Sequence, residues 1–132
     1  MKDNDYIYDD GGRHQYFRMK YKKDRVGDCV IRALAIATGE DYQDVRTELW
    51  ETSYKDGYMP NSNENYTKFL LKRGFIPEKK IVGYNLREYP ACKDCTYVVR
   101  LSRHVVCLDQ GLVRDIWDCR EWYPYKTWRK PS

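Results

Sequence analysis

Two side chains of this sequence have the chemistry of a nucleophile and its base. Cys29 follows Asp28 and begins the apolar run of residues 30–38, whose periodicity predicts a helix that starts at the cysteine. The partial positive charge at a helix N-terminus favours the thiolate over the thiol. His104 begins a β-patterned run far downstream. A thiol at a helix end and a histidine on a strand are the components of a thiol-based catalytic site.

Asp115 is the predicted third member of this site. If residues 110–111 are the two central residues of a hairpin turn, His104 lies opposite Trp117, and Asp115 shares the sheet face of His104 one diagonal step away. A three-residue turn would favour Asp118 instead. Glycine at the second turn position fits the shorter loop, so Asp115 is preferred.

Such a site would act on a carbonyl compound. The thiolate attacks the carbonyl carbon, the imidazole protonates the leaving group, and the carboxylate fixes the tautomer of the imidazole. Backbone N–H groups at the helix N-terminus would stabilise the oxyanion. A purely structural interpretation stays open for each group. Cys29 can be a small buried apolar residue and His104 a structural strand residue. Asp115 can be a polar strand end paired with Arg114 or Arg103.

Helices are predicted first along the chain and antiparallel strands afterwards. The predicted helices cover residues 29–38, 42–51 and 64–73, and Asp28 and Asp41 are the predicted N-caps of the first two. The predicted strands cover residues 97–101, 104–108 and 112–116, with a further short strand or edge in residues 122–128. Residues 52–63 are predicted as loop, and residues 75–95 as irregular. This order predicts an α+β fold, in which an N-terminal helical half packs on a C-terminal antiparallel sheet.

Length and composition indicate one globular domain. The chain has 132 residues, 42% of them hydrophobic and 33% charged. Residues 1–26 are polar and rich in tyrosine, and are predicted to form a loosely structured arm before a single domain over residues 27–132. The net charge of +4 is mild and scattered. Basic residues interleaved with aromatic ones in residues 18–25 would suit nucleic acid, but a solvated face is the simpler interpretation.

The sequence predicts a cytoplasmic protein without a membrane span. It contains no apolar run of the length that a bilayer requires and no apolar signal core at the N-terminus. In the cytoplasm the five cysteines stay reduced. Their odd number also argues against a complete disulfide framework.

Five stretches of the chain carry a resemblance to a known family, and the order and spacing of the Cys, His and Asp among them fit it. They are GDCVIRALA (27–35), TGEDY (38–42), LLKRGF (70–75), YVVRLSRHVV (97–106) and DIWD (115–118). Along about residues 25–120 the chain resembles a papain-like cysteine peptidase. It is most similar to the type that processes bacteriocin precursors with double-glycine leaders, and to small phage and prophage proteins of that shape. The resemblance implies a papain-like fold, a peptide or protein substrate and no cofactor.

Carried over to this sequence, the resemblance makes Cys29 the nucleophile, His104 the base and Asp115 the residue that orients it. Peptidases of this kind usually place a glutamine several residues before the cysteine to complete the oxyanion hole. Residues 21–26 contain no glutamine, and Gln15 lies further upstream. The alternative to a hydrolase is therefore a catalytically reduced papain-like binding protein, such as a phage-encoded modulator of a host protein.

The remaining cysteines suggest a competing metal site. Cys92 and Cys95 form a C-x-x-C pair, which with Cys107 and Cys119 would supply four thiolates to zinc. Cys107 and Cys119 are not a second close pair, and Cys107 shares a predicted strand face with Val105, as a core residue does. These two features argue against zinc. A thioredoxin-like redox role is weaker still, because the pair lies in a loop rather than at the start of a helix.

Overall fold

The computed structural model describes residues 2–17 and 28–131. The three α-helices of this part of the chain are α1 (Cys29–Thr38), α2 (Tyr42–Asp56) and α3 (Asn63–Lys72). The strands are β1 (Asp5–Tyr8), β2 (Ile76–Glu78), β3 (Cys95–Leu101), β4 (His104–Asp109), β5 (Leu112–Asp115) and β6 (Lys126–Pro131). A short 3₁₀ turn covers Arg13–Gln15.

Helix α1 has the predicted bounds, but its first residue is not capped as predicted. Gly39 ends the helix in the left-handed conformation, with φ of 73°, and its N–H donates to the carbonyl of Ala35. Asp28 occupies the N-cap position, yet its side chain makes no cap hydrogen bond. The predicted N-cap residue is therefore correct, but its carboxylate does not cap the helix because it binds Arg32, Tyr42 and Arg13.

Helix α2 is capped as predicted and is longer than predicted. The carboxylate of Asp41 accepts hydrogen bonds from the N–H groups of Gln43 and Asp44 at 3.0 and 3.2 Å. The helix then continues to Asp56, where Gly57 ends it with φ of 80°. Its last turns are polar, so they carried no apolar periodicity that would separate them from the predicted loop of residues 52–63.

Six strands form one mixed sheet in the order β1-β5-β4-β3-β6-β2. The pairs among β2 to β6 are antiparallel, whereas β1 runs parallel to β5. The fold is therefore α+β as predicted, but the sheet is not purely antiparallel. Strand β2 also corrects the prediction that residues 75–95 are irregular throughout, because Ile76–Glu78 pair with β6.

Strand β1 comes from the segment that was predicted to be a loose arm. Beside it, Asn4 is fully buried and donates side-chain hydrogen bonds to the carbonyls of Leu86 and Tyr89 at 2.8 and 3.1 Å. Asp5–Tyr8 are thus an edge strand of the sheet rather than part of a loose segment. The predicted boundary between arm and domain, at residues 26 and 27, lies outside the described residues, as does the basic segment 18–25.

The helices cover one face of the sheet, as predicted. Their buried side chains pack on Val98, Val105 and Trp128, and the rings of Tyr66 and Trp128 meet edge to face at 5.2 Å. A second apolar cluster on the sheet includes Leu86 and residues of the segments that follow β2 and β5. Burial of each large apolar side chain contributes about 1.5–3 kcal/mol to folding. Within residues 2–17 and 28–131, no helix combines the length and apolarity needed to cross a bilayer.

Candidate active site

The site forms where the start of α1 meets one end of the β4–β5 pair. Cys29 is the first residue of α1, His104 the first of β4 and Asp115 the last of β5. Because β4 and β5 are antiparallel, the start of one strand adjoins the end of the other. Helix α1 packs against this pair of strands. The fold therefore brings the three predicted residues together.

The β4–β5 hairpin has the predicted register. Asp109 pairs with Leu112, and Gln110 and Gly111 occupy the turn with φ of 51° and 80°. Two consecutive residues with positive φ are typical of the two-residue turn that matches the twist of a hairpin. The short turn fixes the alignment of β5 on β4, and so it decides which aspartate reaches His104.

Asp115 is the carboxylate that reaches His104. Nε2 of His104 and Oδ2 of Asp115 form a buried hydrogen bond, with 8% and 2% of the two residues exposed. Asp118, the alternative, instead accepts hydrogen bonds from the side chain of Arg120 at 2.9 and 2.8 Å. The ring of Trp117 lies 4.9 Å from that of His104, with an angle of 40° between the ring planes. The imidazole thus bonds a carboxylate and contacts an indole.

Electrostatics favour a charged pair between the thiol and the imidazole. Burial would raise the pKa of Cys29, but its hydrogen bond to His104 and the positive charges of His104 and Arg32 bring it below the ordinary value. Burial would lower the pKa of His104, but hydrogen bonds to Asp115, Cys119 and Cys29 raise it to about 11. The thiol loses its proton more easily and the imidazole keeps its own, so the pair favours the thiolate and imidazolium forms.

Arg32 is a member of the site that sequence reasoning missed. Its guanidinium bonds the Asp28 carboxylate through Nη1 and Oδ1 of Asp115 through Nη2, the latter at 3.3 Å. Asp28 also pairs with Arg13 at 2.9 Å and accepts a hydrogen bond from Tyr42 at 2.7 Å. A signal was present in the sequence: a single charged residue in the otherwise apolar run of α1, three positions after the cysteine.

Cys119 is a second thiol at the site. It is fully buried, burial raises its pKa, and its Sγ donates to Oδ2 of Asp115 at 3.9 Å. Ligand atoms of His104, Asp115 and Cys119 all lie within 4.8 Å of one another, a spacing that could hold a metal ion. His104 and Asp115 already bond each other, however, and Arg32 already supplies a positive charge to Asp115. A cation would have to displace both interactions.

The structure does not assemble the four-thiolate zinc site. Within the described residues, no group of three or more metal-ligand side chains includes Cys92 or Cys95. Cys107 is fully buried, and burial raises its pKa well above the ordinary value, as expected of a core thiol. Cys119 belongs to the histidine site. All five cysteines are free thiols.

An apolar cavity adjoins the first turn of α1. Its volume is about 200 Å³. It is lined by Asp28, Val30, Ile31, Leu49, Trp50, Met59, Pro60 and Asn61. Asp28 and Val30 flank Cys29 in the sequence, whereas Cys29 itself does not line the cavity. Gln15, the upstream glutamine, is exposed in the 3₁₀ turn, and residues 21–26 lie outside the described part of the chain.

Comparison with known proteins leaves the family open. A scan against models of known protein families found no match, and searches of curated proteins and of solved structures found no significant similarity. The papain-like assignment therefore stays a prediction from the sequence.

Proposed function

We propose that this protein is a cysteine hydrolase that cleaves a peptide, isopeptide or related amide bond. The observation that carries the proposal is the placement of His104, which contacts the thiol of Cys29 and the carboxylate of Asp115. Cys29 is the nucleophile, His104 the acid and base, and Asp115 the group that orients the ring. The papain-like relationship is part of this proposal. It is supported by the chain order, with a cysteine at the first helix and the histidine and aspartate on the later sheet.

Hydrolysis proceeds in two halves. The Cys29 thiolate forms a bond to the carbonyl carbon, and the carbonyl electrons move to oxygen. His104 then gives its proton to the leaving nitrogen as the C–N bond breaks, which leaves a thioester on Cys29. Water attacks the thioester while His104 accepts its proton. The C–S bond breaks, the carboxylic acid product leaves, and the thiolate–imidazolium pair is restored.

The first turn of α1 would stabilise the oxyanion. The first N–H groups of a helix have no intrahelical partner, and they point towards a ligand at its N-terminus. The side chain of Asp28 makes no cap hydrogen bond and binds Arg32 and Tyr42 instead, so it does not occupy these N–H groups. This arrangement would offset the absence of a glutamine in residues 21–26.

The cavity at the first turn of α1 would receive an apolar side chain of the substrate. Its lining is mostly apolar, and Trp50 and Met59 at its edge are exposed. A side chain that enters it would bury apolar surface at about 25 cal/mol per Å². We propose a peptide or protein as the source of this side chain, in the cytoplasm, where the thiols stay reduced.

A thiol reagent tests the proposal. The full-length protein is treated with iodoacetamide at pH 7, and the rate at each cysteine is read by peptide mass spectrometry. Cys29 and Cys92 are both partly exposed, so Cys92 is the internal control. We expect Cys29 to react at least about tenfold faster than Cys92, because its thiolate fraction is larger. Equal rates would contradict the hydrolase proposal.

A catalytically reduced binding protein is the second candidate. The absence of a glutamine in residues 21–26 favours it. A host protein captured by the wild-type chain would then bind Cys29→Ala with unchanged affinity, and no peptide would be cleaved by either form. A hydrolase instead shows turnover that Cys29→Ala abolishes.

A further inference from the structure

Arg32 is a buried charge on an apolar helix face. Only 3% of it is exposed, and its neighbours on the buried side of α1 include Val30 and Leu34. A buried guanidinium is costly unless it is paired and hydrogen-bonded. A residue that only packed α1 on the sheet would be apolar, so the contacts of this side chain need another explanation.

The two Nη groups of the Arg32 guanidinium bind two different carboxylates. Nη1 bonds Asp28, and Nη2 lies 3.3 Å from Oδ1 of Asp115. The same Oδ1 accepts the N–H of Ile116 at 2.8 Å, whereas Oδ2 of Asp115 bonds His104. One oxygen of Asp115 is therefore fixed by Arg32 and the backbone, and the other is directed at the imidazole.

The Asp28 carboxylate, which binds the other Nη group of Arg32, is held by further contacts. Asp28 is held by Tyr42 at 2.7 Å and by Arg13 at 2.9 Å. The segment that carries Arg13 lies directly on α1, since a Cβ at Gly11 would be 2.9 Å from the carbonyl oxygen of Arg32. Arg32 is thus part of a row of alternating charges that leads from the N-terminal segment to His104.

We propose that Arg32 is a positioning residue, which holds the Asp115 carboxylate so that Oδ2 faces His104 and keeps the imidazole directed at Cys29. The inference rests on the proposed function, because it assigns a role within the same site. Arg32 acts through Asp115 and does not contact the substrate. Its planar guanidinium suits this role, since the two Nη groups bond the two carboxylates in fixed directions, whereas a lysine ammonium is a point charge without this geometry.

Arg32 also acts on the thiol through its charge. Its positive charge helps to lower the pKa of Cys29, after the larger contribution of His104. Other ionisable groups face the Cys29–His104–Asp115 group from every element around it. Those nearest to it are Tyr6 in β1, Asp28 before α1, Tyr66 on α3 and Cys119 after β5. Arg13 and Tyr42 face it indirectly, because both contact Asp28. None of these is a second cation in contact with Asp115 among the described residues.

The test measures alkylation of Cys29 by iodoacetamide against pH in the full-length protein. In Arg32→Gln we expect the midpoint of the profile to move up by about 1 pH unit, which makes alkylation about tenfold slower below the midpoint. In Arg32→Lys the charge remains but the fixed planar geometry is lost, so we expect the alkylation rate below the midpoint to decrease about threefold. Arg114→Gln, on β5 beside Asp115, removes a charge that pairs with Asp9 and Asp109 instead. It should keep the wild-type midpoint.

The outcomes separate this inference from the proposed function. A wild-type Cys29 that reacts no faster than Cys92 contradicts the hydrolase. A fast Cys29 whose profile is unchanged in folded Arg32→Gln, or in Arg32→Lys, overturns the positioning role alone. Circular dichroism and thermal unfolding establish that each variant is folded. A loss of stability without a change of midpoint means that Arg32 is structural only, and this result also overturns the proposal.

Discussion

Asp115 accepts a hydrogen bond from Nε2 of His104 at the end of the β4–β5 pair where one strand begins and the other ends. In the proposed mechanism, an imidazole whose Nε2 is held by Asp115 would exchange a proton with Cys29 through Nδ1. The position of this pair follows from a two-residue turn at the opposite end of the hairpin. A local feature of the chain thus decides which carboxylate meets the histidine.

The first prediction concerns the dependence of Cys29 on His104. In His104→Gln the thiol keeps its burial, which raises its pKa, but loses the imidazolium that lowers it. Alkylation of Cys29 at pH 7 should therefore fall by about a hundredfold, because a higher pKa leaves less thiolate. Peptide mapping measures the rate, and Cys92 should react equally in both proteins. An undiminished rate at Cys29 would show that His104 does not activate it.

The second prediction concerns stability against pH. The pKa of His104 is raised from 6.5 to about 11, so the bound proton stabilises the folded state fully below pH 6.5 and is lost as the pH rises towards 11. Cys29 titrates in the opposite sense, so the measurement uses Cys29→Ala. The free energy of unfolding of this variant should fall above pH 6.5 by at most about 1.4 kcal/mol per pH unit.

The control for this slope is Cys29→Ala/His104→Gln, which has no imidazole to titrate. Urea unfolding at a series of pH values gives both curves. If the two variants show the same pH dependence, His104 does not retain its proton in the folded protein.

The third prediction concerns the contact between the N-terminal segment and α1. In Gly11→Ala the new Cβ would lie 2.9 Å from the backbone oxygen of Arg32, at a residue with φ of 68°. Gly12→Ala is the matched control, since φ is 92° and the nearest atom, Cβ of Tyr42, is 3.8 Å away. Both variants carry backbone strain of about 1–2 kcal/mol, but only Gly11→Ala adds a clash with rigid backbone.

We expect Gly11→Ala to be less stable than Gly12→Ala by about 1–3 kcal/mol in thermal or urea unfolding. Equal stability would mean that the segment moves away from α1 at little cost. In that case Arg13 would not hold Asp28 firmly.

The fourth prediction concerns the cavity at the first turn of α1. Met59 lines it and is 70% exposed, so Met59→Arg should fold normally and place a charge at its edge. For peptide substrates with an apolar residue at the cleaved bond, kcat/KM should fall about tenfold, whereas alkylation by the small reagent should stay unchanged. Tyr54→Arg, on the exposed side of α2 and outside the cavity, is the control. If kcat/KM fell in both variants, the added positive charge rather than the cavity would be the cause.

Local rules explain which parts of the fold the sequence predicted. Apolar periodicity and Gly39 define α1, and the turn at residues 110–111 defines the hairpin register, because each depends on neighbours in the chain. Strand β1 could not be predicted in this way. It is short and mostly exposed, and its place in the sheet depends on pairing with β5.

The same distinction applies to the site. Cys29, His104 and Asp115 were predicted because helix and strand ends place them, and the structure brings them together; their catalytic roles stay predictions. Asp28 was predicted as a cap from its position alone. In the structure its carboxylate binds Arg32, Tyr42 and Arg13 instead, and the contacts with Tyr42 and Arg13 depend on tertiary packing that is not visible in the sequence.

The parallel pairing of β1 with β5 has a consequence for the order in which the protein folds. Tyr6 donates to the backbone carbonyl of Asp115 at 3.0 Å, although the two residues are 109 positions apart. Contacts between such distant segments form slowly, because a long loop must close first. During synthesis this edge of the sheet can close only after Asp115 has left the ribosome, so β1 waits unpaired while the residues between it and β5 are made.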